Sequence, residues 1–191
     1  MKLNESTEHY NLHNGCLEGK YAVFSQKKLA QLKGVFADEQ AFAAKDGEEI
    51  VYEVSSHTVV PEGTPGGLFF GTSCIHPGTV GGEYYMTKGH FHAKRECGEY
   101  YWGISGTGLL LLMDENRNCT AQLVKKNSLH YISGYTAHRL VNIGDDDLVV
   151  GACWPSDAGH DYGSIETEGF PVRVICRDGE AVIVDDAHAA G

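Results

Sequence analysis

From Ile50 onward the chain divides into short apolar runs separated by glycine, proline, aspartate and asparagine, and helical periodicity almost vanishes. The runs cover 50–60, 68–75, 109–113, 119–125, 128–132, 138–143, 147–154 and 172–184, with two more flanking a charged turn at 93–98. Roughly ten short strands with turn residues between them describe an antiparallel sandwich or closed barrel. Ahead of them, Leu29 and Leu32 stand at helical spacing behind a possible Ser25 cap, and the alanine-rich stretch 38–45 offers another turn or two of helix. Residues 1–20 read as turns or short edge strands. The expected fold is mainly all-β with short N-terminal helices. It is a single domain over 1–191, with an extension to about residue 48 and a barrel over about 50–184.

A small barrel turns alternate side chains of neighbouring strands into a shared interior. The stretch 83–106 is the richest in chemistry. His90 and His92 are two apart, so an extended backbone projects both to one side. The segment 93–98 is charged and ends in glycine, which predicts a hairpin carrying Glu99 back to face them, with Tyr101 and Gly103 on the same strand face. His138 is the candidate fourth ligand. Three imidazoles and one carboxylate suit iron, manganese, nickel or zinc and leave coordination positions open. Ten histidines also bring pairs close by chance. An HxH pair alone is therefore a weak sign; the combination carries the reading.

At 191 residues and 42% hydrophobic content the chain can bury one sizeable core. Its formal charge of -11 and the lack of any long basic run argue against nucleic acid and anionic membrane as partners. No N-terminal apolar stretch resembles a secretion signal, so a cytoplasmic protein is expected. The six cysteines are scattered without a CxxC pair and read as buried or incidental thiols of a reducing compartment.

The spacing also resembles a known family. In cupins an HxH pair and a glutamate on the next strand supply three ligands, and a later histidine, followed after three residues by asparagine, supplies the fourth. Here Glu99 is followed after six residues by Gly106, and His138 after three by Asn142, as in that pattern. Two positions depart: six residues separate His92 from Glu99, and Ser133 stands where proline is usual. The longer gap is similar to that of a narrower group, the cupin-type glucose-6-phosphate isomerases. The stretches Thr87 to Lys94, Ala137 to Gly144 and Asp157 to Gly163 match that group, and the resemblance runs from about Gly34 to Val184. Trp154 stands where the group usually has tyrosine.

The resemblance implies interconversion of glucose 6-phosphate and fructose 6-phosphate in glycolysis and gluconeogenesis. It implies one divalent ion per subunit, iron(II) first and manganese, nickel or zinc also compatible, held by His90, His92, Glu99 and His138. Glu99, Tyr101 and His160 become the expected catalytic residues. Tyr52, Ser73, Thr87, the amide of Gly89 and Tyr162 become the expected sugar-phosphate contacts. Lys88 is left out because simple alternation points it away. A homodimer is expected. Two other readings fit a cupin: an iron(II) oxygenase, and a non-catalytic sugar-phosphate-binding protein.

Overall fold

The computed structural model describes residues 1–11 and 14–186. The elements in order are β1 (Glu8–Tyr10), β2 (Leu17–Gly19), β3 (Ala22–Lys28), a 3-10 turn (Leu29–Leu32), α1 (Glu39–Ala44), β4 (Ile50–His57), β5 (Leu68–Ile75), β6 (Thr79–Val80) and β7 (Glu83–Tyr84). Then come β8 (Glu99–Ser105), β9 (Thr107–Asp114), β10 (Cys119–Lys125), β11 (Leu129–Ile132), β12 (Thr136–Asn142), β13 (Leu148–Pro155), α2 (Gly163–Glu168), β14 (Val172–Arg177) and β15 (Glu180–Asp185). A six-stranded sheet runs β11-β8-β13-β5-β4-β3, a three-stranded sheet β10-β9-β12, and a four-stranded sheet β15-β14-β7-β6. The strand pairs are antiparallel throughout the described residues, as the cupin-like expectation requires.

Burial follows the pleat. Along β8, Glu99, Tyr101 and Gly103 are buried while Tyr100 is exposed, so the face predicted to look inward does. β12 is buried from Ala137 to Asn142 on both faces, and its Leu140 and Val141 join Leu110, Leu111 and Ile75 in the core. The β9–β10 hairpin is closed by Asp114, whose carboxylate accepts from the amides of Asn116 and Asn118 and from the Asn118 side chain. The N-cap of α1 is Asp38, accepting from the Ala41 amide at 2.8 Å.

The two residues of the cupin pattern that bind no ion are explained by the backbone. Gly106 has φ +77°, and a Cβ there would lie 2.4 Å from the Asp147 carbonyl, so the β8–β9 turn admits only glycine. Asn142, fully buried, donates to the carbonyls of Ile75 at 2.8 Å and Asp146 at 2.9 Å, and accepts from the Gly144 amide at 2.9 Å. It thereby ties the end of β12 to β5 and to the turn before β13.

Several local expectations are corrected. Ser25 caps no helix: it lies within β3, which pairs with β4 as an edge of the six-stranded sheet. The strand follows from a backbone ladder that the lysine-rich stretch Gln26 to Lys28 concealed. The run 172–184 is two strands, because Asp178 at φ 54° and Gly179 at φ 82° fold it into a hairpin. The short helix α2 escaped notice because its six residues are too few to establish a period. No helix among the described residues is long and apolar enough to cross a membrane.

Candidate active site

His90, His92, Glu99 and His138 converge, with one ligand atom of each lying within 4.8 Å of all the others. Their route to this point differs from the predicted hairpin. The HxH segment does not pair with the strand of Glu99. It bridges instead to β12, with His90 opposite His138, and Phe91 pairs with Asp161. Glu99 pairs with Ile132 on β11. Three separate segments therefore bring in the four side chains.

His92 donates from Nδ1 to the Cys97 carbonyl at 2.9 Å, which fixes its tautomer and turns Nε2 toward Glu99 Oε2 at 3.2 Å. A neutral imidazole so oriented presents a lone pair to a carboxylate, and only a proton or a cation between them relieves the repulsion. His138 Nε2 lies 3.2 Å from the same oxygen without a hydrogen-bonding alignment, and His90 Nε2 is buried without a partner. One proton cannot serve the two nitrogens on that oxygen and the unpaired nitrogen of His90 as well; one divalent cation can. The donor set therefore fits a metal, with borderline nitrogen and hard oxygen ligands in the pattern that iron, manganese, nickel and zinc accept.

The electrostatics agree with that fit. Burial and the neighbouring His138, His160 and His92 hold His90 well below the ordinary imidazole range, keeping one ring nitrogen unprotonated to serve as a ligand. Burial alone would raise the Glu99 carboxyl, but the close imidazoles of His138 and His92 outweigh it and keep it below its usual value. Both imidazole contacts fall on Oε2, and Oε1 makes no hydrogen bond among the described residues. Cys97 is buried, and burial pushes its thiol up, so it serves through its carbonyl rather than its sulfur.

These ligands floor a cavity of about 270 Å³ between the six-stranded sheet and β12. Tyr52, Ser73, Thr87, Gly89, Tyr101, His160 and Tyr162 all line it, together with His90, Glu99 and His138. Thr87 accepts the Leu140 amide at 3.1 Å, which leaves its own hydroxyl hydrogen free to donate into the cavity. Gly89 has φ +79°, and a Cβ there would meet the Phe170 ring at 2.8 Å. Burial raises the Tyr101 phenol well above its ordinary value, with Glu99 adding to the effect, and pushes Tyr52 up to about 12, so both remain hydrogen-bond donors at neutral pH. His160 lies with its ring centroid 4.5 Å from that of His90 and stacks on Tyr162 at 5.8 Å. Burial lowers its pKa.

Of two lysines in the cavity lining, one was set aside and one missed. Lys88 lines the cavity because the positive φ at Gly89 breaks the alternation that had pointed it away; its ammonium lies 5.5 Å from the Tyr162 ring centroid and pairs with Glu166. Lys27 enters from β3, the strand misread as helix. Recognising Ala22 to Lys28 as a strand places Ser25 and Lys27 on one face, the signal that would have found them. Trp154 also lines the cavity, its ring edge-on to Phe69 at 6.0 Å.

The family model described as "Glucose-6-phosphate isomerase (GPI)" matches residues 26–190. A glucose-6-phosphate isomerase of Thermococcus onnurineus is 41% identical over 84% of this chain and 84% of its own length. That of Pyrococcus furiosus is 38% identical over 92% of each. Among solved structures, an oxalate oxidase in complex with the substrate analogue glycolate has a TM-score of 0.45 at 11% identity, covering 76% of this chain and 56% of that one, a likeness too remote to bear on the chemistry. With a match running from the middle of β3 past the last strand, and relatives of the same name at about two-fifths identity, the chain belongs to the glucose-6-phosphate isomerase family.

Proposed function

We propose that this chain interconverts glucose 6-phosphate and fructose 6-phosphate, with one divalent cation, iron(II) first among the compatible ions, at His90, His92, Glu99 and His138. One observation carries the reading: a cavity with a metal-ligating quartet at one end and hydroxyl, amide and ammonium donors along its walls. The sugar needs the first and its phosphate the second. Ser73, Thr87 and the Gly89 amide supply the phosphate with donors, and Tyr52 and Tyr162 close around the sugar. When bound, the cation supplies positive charge against the oxygens at C1 and C2, where negative charge builds up during the transfer.

Two routes fit such a site, a direct hydride shift from C2 to C1 and a proton transfer through an enediol; on the second, the chain's own residues move the proton. We assign Glu99 Oε1, free of the imidazole contacts, to take the proton from C2 and return it at C1 through a cis-enediol, while the hydroxyl proton passes from the oxygen at C2 to the oxygen at C1. Tyr101, which stays protonated, donates to the oxygen beside it. To His160, which lines the cavity, we assign the ring oxygen that is released when the sugar opens. Trp154 offers an indole N–H in place of a phenol. The setting we propose is a homodimer in the cytoplasm, serving glycolysis and gluconeogenesis. In support of pairing, the edge strand β3 exposes Val23 and Phe24, each at 55%.

A coupled assay of fructose 6-phosphate turnover tests this reading. Tyr101→Phe is expected to lower kcat on the order of 10²-fold while metal content stays unchanged, since it removes one donor to the reacting oxygens. Oxygen uptake without isomerisation points to the oxygenase reading. Tight sugar-phosphate binding by the metal-loaded chain without turnover points to the binding protein. Either outcome contradicts the proposal.

A further inference from the structure

A second cavity, of about 250 Å³, is lined by Lys33, Lys88, Arg139, Glu166, Phe170 and Arg173, among others. Among the described residues, Lys88 is the one common to the linings of both cavities. The chain as a whole carries a formal charge of -11, so four cations around one small space against the single carboxylate of Glu166 reverse its general character. Arg173 is neutralised by Glu83 and Asp186, and Lys88 by Glu166. Lys33 and Arg139 are not: neither forms an ion pair among the described residues.

Arg139 is the unusual one. It is 5% exposed and its guanidinium is laid over the Phe170 ring at 4.5 Å. Nε and Nη2 donate to the Lys88 carbonyl at 3.3 and 2.7 Å, while Nη1 has no hydrogen-bond partner among the described residues. The carboxylate whose charge reaches it, Glu83, is already paired with Arg173, and a buried guanidinium without an ion pair of its own is a costly arrangement that is relieved when an anion enters beside it. The guanidinium fork also matches two oxygens of a phosphate.

We propose that this cavity is an oxyanion site, taking a phosphate group on Arg139 and Lys33, distinct from the sugar-phosphate cavity and linked to it through Lys88. The link is mechanical as well as electrostatic. The carbonyl that Arg139 grips belongs to the residue before Gly89, so an anion on Arg139 bears directly on the segment 87–90 that walls the first cavity. Binding itself does not depend on the isomerase reading; only the link to turnover rests on it.

The test is calorimetric titration of inorganic phosphate into the metal-loaded chain with the sugar-phosphate cavity saturated by fructose 6-phosphate. One saturable phosphate per chain is expected under those conditions. Lys33→Ala, a surface change outside the proposed catalytic cavity, should weaken it about tenfold or more while turnover in phosphate-free buffer stays within about twofold of the unsubstituted chain. Arg139→Lys should weaken it as well, and circular dichroism reports whether that variant folds. The proposal is overturned if fructose 6-phosphate displaces all bound phosphate, or if Lys33→Ala titrates like the unsubstituted chain. A chain that binds this second phosphate yet turns over no sugar leaves the site standing and removes the isomerase reading instead.

Discussion

Replacing His138 with alanine should empty the site of its cation and lower kcat/KM by about 10²- to 10³-fold, the scale seen when a group facing the developing charge is removed. The reason lies in the geometry. His138 Nε2 and His92 Nε2 both face Glu99 Oε2 at 3.2 Å, and His90 is bridged to His138 across the barrel interior. Taking out the third imidazole removes a ligand, while the main-chain bonds between His90 and His138 that align the HxH segment stay in place, so the effect reads the ligand itself. Elemental analysis and turnover should therefore fall together. His160→Ala is the contrast, because His160 lies outside the quartet: it should lose turnover and keep the metal. If His138→Ala retains both, the ion is not held as described.

The second large effect is on stability. Asn142→Ala removes three hydrogen bonds from a fully buried side chain. It leaves the Ile75 and Asp146 carbonyls and the Gly144 amide to find other partners. At about 1 kcal/mol for each lost bond, with more where a buried group stays unpaired, the loss should be about 3 kcal/mol or somewhat above. For a domain of this size that lowers Tm by roughly 6–12 °C. Denaturant unfolding should show the midpoint moving with the slope unchanged. A loss under about 1 kcal/mol would mean that the asparagine is not the tie between β12, β5 and the 143–147 turn that it is taken to be.

Much of this was legible in the sequence because strands declare themselves through alternation and because metal ligands must be particular residue types. The face of Glu99, Tyr101 and Gly103 followed from the pleat alone. Missing were features that alternation cannot carry. β3 was hidden by Gln26, Lys27 and Lys28, polar residues on an edge strand that packing does not force to be apolar. Lys88 was discarded because alternation assumes negative φ, and Gly89 breaks that assumption. The partner of the HxH segment was misassigned to the neighbouring strand in sequence. In a fold of crossed sheets the hydrogen-bonded neighbour comes from β12, nearly fifty residues on, and local spacing says nothing of that.

The central claim is that one cation, held by three imidazoles and a carboxylate, makes the cavity an isomerase site. The most direct measurement is metal content of the purified chain alongside fructose 6-phosphate turnover, before chelation, after it, and after restoring one equivalent of iron(II), manganese, nickel or zinc. The account predicts close to one ion per chain, loss of turnover with the ion, and recovery on its return. Undiminished turnover in a chain stripped of metal would contradict it.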